Sequence, residues 1–174
     1  MRAMAREKLP GGTRLYLADM TSFRLDARFD VIVCAYQGLN HLLSLAAWQR
    51  SFDCAYEHLN PGGLFVFDIT TVSHLRQMAA VPQIVEQFAG NYLLIRVRTA
   101  DGMVFDWHIE VYKLQPDGRY RLLTQTVALR SFPLADIRAA LRARFASVEI
   151  LDGDGNSTDA ENEDRIWFAC TRPA

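Results

Sequence analysis

The sequence predicts an α/β fold: half of a doubly wound, largely parallel sheet, with an antiparallel sheet inserted into it. Three observations predict it. From Phe29 to Ile69 the chain runs apolar strand, polar loop, helix, glycine stop and second apolar strand. A strand, helix and strand within about thirty residues imply a right-handed crossover and parallel pairing. Beyond Ile69 the apolar period switches to two and stays there through three long segments. Last, no glycine-rich turn follows a strand before Phe29.

The elements follow in order. Met1 to Leu9 reads as the end of a helix, with Pro10-Gly11-Gly12 as its stop. Thr13 to Ala18 (TRLYLA) reads as a strand ending in Asp19-Met20, and Phe29 to Tyr36 as a second one. The latter is nearly all apolar from Val31 on, as in strands covered on both faces. Ser44 caps the next helix, which places Trp48, Phe52, Tyr56 and Leu59 along one side. Asn60-Pro61-Gly62-Gly63 ends it, and Leu64 to Ile69 is the third strand.

A short helix fits Thr70 to Ala80, and a strand fits Gln83 to Phe88. Tyr92–Arg98, Met103–Tyr112 and Arg119–Leu129 then read as antiparallel strands turned at Ala100-Asp101-Gly102 and Gln115-Pro116-Asp117-Gly118. In the middle strand Phe105, Trp107, Ile109 and Val111 share one face, and Asp106, His108, Glu110 and Tyr112 the other. Pro133 to Arg144 is a helix with proline in its first turn and arginines in its last. Phe145–Leu151 and Arg165–Cys170 are the closing strands, joined by an acidic loop.

Composition excludes several classes. The 174 residues are 50% hydrophobic and 22% charged, an ordinary globular balance. Nineteen basic against twenty acidic residues give a net charge of -1, which provides no cationic field for nucleic acid. Arg138, Arg142 and Arg144 read as the exposed last turns of a helix. No apolar run approaches the roughly 20 residues of a membrane span. Cys34, Cys54 and Cys170 sit in apolar stretches without metal spacing, so reduced, buried thiols in a cytoplasmic protein are expected. Asp152, Asp154, Asn156 and Glu163 mimic calcium-loop offsets. Position six is Ser157 rather than glycine and the flanks are strands, so a solvated loop is expected and no metal.

Taken together, the Ala18-Asp19-Met20 strand end, FDVIVC, the LNHLL loop, NPGG, FVFDI, the LRSF link and the terminal DRIWFAC resemble class I S-adenosylmethionine-dependent methyltransferases. The branch resembled acts on small molecules and carries an antiparallel β lid. The resemblance implies a Rossmann-like methyltransferase sheet, with residues 1–69 and 130–174 as a partial core and 70–129 as the lid insertion. It implies S-adenosyl-L-methionine as cofactor, with Asp19 on the adenine amino group and the Met20 backbone N–H on a ring nitrogen. Tyr36, Gln37 and Asn40 would border its methionine part, at the carboxyl end of a strand where open α/β sheets bind ligands. Trp107 would cap the acceptor or pack the lid core, the plainer role, and Arg130 would reach the site or pair with a carboxylate. Transfer from a sulfonium is an in-line displacement that needs alignment above all. Were the acceptor a hydroxyl, His41 would be the candidate catalytic base; bonding to backbone is the plainer role for a loop histidine.

The family's glycine-rich cofactor turn and its ribose-binding acidic residue do not occur in the sequence. The expectation is therefore an N-terminally truncated core. Two strands would be missing between TRLYLA and FDVIVC, so TRLYLA would slide across to pair with FDVIVC, or an apolar edge would lie open and recruit a second copy. Two functions stay in view: a small-molecule methyltransferase incomplete as given, and a non-catalytic remnant serving as a dimerisation or partner-binding module. A different nucleotide-binding enzyme on a related fold is a third.

Overall fold

A computed structural model describes residues 6–158 and 162–174. Among these residues eight strands form two four-stranded sheets, ordered β1-β2-β8-β7 and β3-β4-β5-β6. The expected first helix falls partly outside the described residues, since residues 1–5 are not among them. Residues 6–8 are helical and lead into the Pro10–Gly12 turn.

The first sheet starts with β1 (Phe29–Cys34), which runs parallel to β2 (Leu59–Thr70). Between them lies helix α1 (Leu45–His58), capped as expected by the Ser44 hydroxyl, which accepts from the Ala47 N–H. The antiparallel hairpin of β7 (Ser147–Leu151) and β8 (Arg165–Thr171) completes the sheet, β8 lying against β2. Trp48 and Phe52 of α1 and Ile137 and Leu141 of α3 (Leu134–Arg142) pack onto Phe65, Phe67, Ile69 and Phe168. Ring pairs such as Phe67–Phe168, stacked at 4.7 Å, fill that face.

Four expectations need correction. TRLYLA is not a strand: residues 13–18 are irregular and stay irregular up to β1. A strand needs a hydrogen-bonding neighbour, and β1 pairs with β2 alone. The apolar edge therefore lies open, as one of the two expected outcomes had it. Coverage of β1 on both faces is also overturned. Ile32 and Cys34 pack into the core, while Val31 and Val33 are more than half exposed on the side that α1 and α3 do not cover. The NPGG segment belongs to β2 rather than to a loop. The strand bulges there, opposite Phe29 and Val31, and a Cβ on Gly63 would sit 2.9 Å from the Asn60 carbonyl. Leu59 correspondingly opens β2 instead of closing the helix, and is fully buried there.

The second sheet is antiparallel throughout: β3 (Ile84–Phe88), β4 (Asn91–Arg98), β5 (Val104–Leu114) and β6 (Tyr120–Arg130). Both expected turns are present, with Gly102 and Gly118 at positive φ. Asp101 fixes the first by accepting from the Met103 and Val104 N–H groups. The apolar face of β5 packs on helix α2 (Val72–Ala80) through Leu75, Val97, Phe105 and Leu129, with Trp107 beside them. On the other face Glu110 pairs with Arg96 and takes hydrogen bonds from Tyr112 (3.3 Å) and His108 (3.1 Å). Among the described residues no helix is long and apolar enough to cross a membrane.

Candidate functional site

The site forms where β1 ends. Tyr36 and Gln37, two consecutive non-glycine residues, adopt left-handed backbone at φ 59° and 58°. Each costs roughly 1 kcal/mol or more against the right-handed conformation, so such a pair persists only where neighbours hold it. One turn of 3-10 helix follows at Gly38–His41. Gly38 is needed there, because a Cβ would come within 2.7 Å of the Cys34 sulfur.

Two buried groups hold this loop. Asp68 of β2 is fully buried, and its Oδ1 accepts the Gln37 N–H at 3.1 Å. Its Oδ2 has no aligned hydrogen bond; the Nε of Arg165 on β8 lies 3.3 Å away as a charged contact. The Arg165 guanidinium also sits 5.9 Å from the centre of the Tyr36 ring. Asn40 is the second, also fully buried. Its amide donates to the Thr70 and Arg130 carbonyls (3.2 and 2.9 Å), and its oxygen accepts the Thr70 N–H (3.0 Å). One side chain thus ties the loop to the end of β2 and to the end of β6.

Each residue singled out in the sequence has a definite place. Tyr36 projects into solvent from the loop. His41 is exposed at the close of the 3-10 turn. Asn40 spends its side chain on backbone, which leaves it little for a ligand. Arg130 ties the end of β6 to the loop before α1: its Nη1 donates to the Leu43 carbonyl at 3.0 Å, and its guanidinium covers the Phe132 ring at 4.7 Å. Trp107 packs on the α2 side of the antiparallel sheet, its indole N–H buried without a hydrogen-bond partner.

Asp19 is exposed, and its Oδ1 accepts both the N–H and the hydroxyl of Thr21 at 2.8 Å. Those bonds, backbone first, hold its carboxyl below the usual aspartate range. Met20 packs against the main core. The clefts described along the 14–29 segment are lined by residues such as Arg14, Tyr16, Leu25 and Asp26, and include neither Asp19 nor the Asn40 turn. A cleft of about 440 Å³ lies between the start of α2 and the Phe132–Leu134 link.

All three cysteines are free thiols. Burial, and next the charge of Asp68, push the Cys34 thiol up; burial alone pushes Cys170 up to about 12. Among the described residues no group of three metal-ligating side chains converges. Asp152 instead binds the Asp154 and Asn156 N–H groups of its own turn.

Sequence reasoning missed Asp68 and His58. The signal for Asp68 was a carboxylate inside the otherwise apolar FVFDI strand. Buried His58 shares a hydrogen with the Cys54 carbonyl through Nδ1 (2.7 Å) and accepts the Leu25 N–H at Nε2 (2.9 Å). Its i, i+4 relation to Cys54 was legible, but its partner in the preceding loop was not.

No protein-family model matches the chain, and no curated protein matches it. Solved structures do. An S-adenosylmethionine-dependent methyltransferase from Clostridium acetobutylicum superposes with a TM-score of 0.84 at 18% identity, covering 99% of this chain and 69% of that one. CalS10, an amino pentose methyltransferase from Micromonospora echinaspora, gives 0.75 at 24% identity, over 98% and 69%. The sugar N-methyltransferase KedS8 from a Streptoalloteichus species gives 0.78 at 26% identity, over 99% and 67%. The chain therefore has the Rossmann-like class I methyltransferase fold and spans about two thirds of each of these neighbours.

Proposed function

We propose that this chain forms the acceptor side of an S-adenosylmethionine-dependent small-molecule methyltransferase, with residues 70–129 as its lid. The observation that carries the reading is the match to KedS8: 26% identity over 99% of the chain, both sheets included. Two of the neighbours are named for sugar or amino pentose substrates, which favours the amine of an amino sugar as acceptor. The place of the strained loop supports it too, since ligands of open α/β sheets sit beyond the carboxyl ends of the strands.

The residues present fit the cofactor only in part. Asp19 offers a carboxylate for an adenine amino group, and the Tyr36–Gln37 loop offers a wall for the methionine part. No described cleft joins the two, and nothing in the sequence supplies a glycine-rich cradle. We therefore derive no transfer step through the cofactor. What the chain's own residues do is fix the loop: Asp68 and Asn40 order it, leaving Tyr36 and His41 exposed beside it.

The test is isothermal titration of S-adenosylhomocysteine into this polypeptide and into a chimera carrying the part of KedS8 outside the match. Saturable binding by the chimera is expected; absence of binding in both overturns the reading. A second reading, a dimerisation module, is favoured by the open edge of β1, where Val31 and Val33 stand exposed. A dimer in size-exclusion chromatography that Val31→Lys with Val33→Lys converts to monomer supports it, and a monomer at all concentrations removes it.

A further inference from the structure

We infer that Asp68 is the positioning residue of the loop after β1. It acts by holding Tyr36 and Gln37 left-handed rather than by touching a ligand. Its relevance to a ligand rests on the function proposed above; its mechanical role does not.

FVFDI is a central, buried strand, and a carboxylate there must be desolvated. Its Oδ1 makes a bond to backbone that an apolar residue at 68 could not make. Both of its oxygens face one place. Oδ1 takes the Gln37 N–H, and Oδ2 faces Arg165, whose guanidinium reaches over the Tyr36 ring. Three adjacent elements, the end of β1, β2 and β8, therefore meet on the two residues whose backbone is strained. Gln37 has no side-chain bond that would hold it as a cap for the 3-10 turn. Downstream, Asn40 is tied to Thr70 and Arg130, which anchors the far end of the loop. The carboxylate of Asp68 thus decides which way Tyr36 points.

Residue-resolved amide exchange on the full chain tests this. Asp68→Ala should speed exchange at Gln37 by about tenfold relative to Phe65–Phe67, which report global opening. Asp68→Asn keeps an acceptor oxygen and should retain protection at Gln37 within about threefold. Equal acceleration at Gln37 and in β2 would mean a merely structural aspartate and would overturn the inference. Gln37→Gly supplies a check that leaves Asp68 intact. Glycine accepts the left-handed conformation without strain, so this variant should raise Tm in the parent. It should give no such rise in Asp68→Ala, where the loop has relaxed. An unchanged or lower Tm in the parent, or the same rise in both, overturns it even where Asp68→Ala does not fold. In the chimera that binds S-adenosylhomocysteine, Asp68→Ala should weaken binding at least fivefold. If no form binds, the functional reading fails while amide exchange still decides the clamp.

Discussion

TRLYLA and FDVIVC are two six-residue segments of similar strand-forming character, and they end in opposite states. The second is β1, paired along β2 and turned inward at Ile32 and Cys34. The first is irregular, with Tyr16 and Leu17 at 61% and 81% exposure. The difference lies in what is beside each of them. FDVIVC finds β2 across a crossover that α1 makes short, whereas TRLYLA pairs with no strand among the described residues. Strand propensity measures how well a residue fits a pleated surface, and without that surface it commits the chain to nothing. What order the 13–28 segment has comes from side chains near its end. Met20 enters the core, Phe23 lies 4.5 Å from the His58 ring, and Arg28 bonds the Leu59 carbonyl at 3.0 Å.

Matched substitutions can break this comparison. Ile32→Asp puts a charge at a half-buried position packed against the main core and should cost about 3 kcal/mol, whereas Leu17→Asp should stay within about 0.5 kcal/mol. Urea unfolding of both variants reads the contrast. Equal losses would mean that TRLYLA is packed after all.

Asn40→Ala asks whether the clip between the sheets matters as much as the pairing of β1. It strips partners from the Thr70 N–H and the Arg130 carbonyl, and should cost about 2–3 kcal/mol by the same measurement. A loss under about 0.5 kcal/mol would assign the joint between the sheets to Arg130 and Leu43 instead.

His58→Ala should cost about 1–2 kcal/mol and loosen the irregular segment selectively. Limited proteolysis should cut within 13–28 faster while β1 and β2 stay protected; cutting that accelerates equally throughout would contradict it.

The smallest effect is expected far from both segments. Burial pushes the Glu110 carboxyl up, but the His108 hydrogen bond, the Arg96 charge and the Tyr112 hydroxyl outweigh it and leave it below the ordinary glutamate value. A depressed carboxyl stabilises the fold fully above its unfolded pKa of about 4.5, and that contribution is lost as pH falls through the lower folded value. Glu110→Gln should therefore flatten the acid limb of a Tm-against-pH curve below about pH 4.5 and leave the TRLYLA contrast unchanged.

The elements from Phe29 onward were readable because their periods are local properties of the chain. The Ser44 cap, the two hairpin turns and the alternation of Phe105 and Trp107 with Asp106 and His108 each depend on residues a few positions apart. The loop at 36–41 was readable as a place, since a polar stretch at the end of an apolar strand has few other meanings. Its wiring was not readable. Asp68 and Gln37 are 31 positions apart and Asn40 and Arg130 are 90 apart, and nothing near either partner marks the other. The surroundings of Asp19 were local and still unread: its exposed carboxyl accepts from Thr21, two residues on.

The sequence alone set the α/β class, the parallel crossover through α1, the antiparallel sheet and the polar loop at the end of β1. All of these follow from short-range periodicity, caps and turns. Only the tertiary structure decided that TRLYLA would stay irregular, that one face and one edge of β1 would lie open, and that a buried aspartate would hold two strained residues. Strand pairing and buried polar contacts are settled by which surfaces meet, and in this chain those surfaces come from segments tens of residues apart.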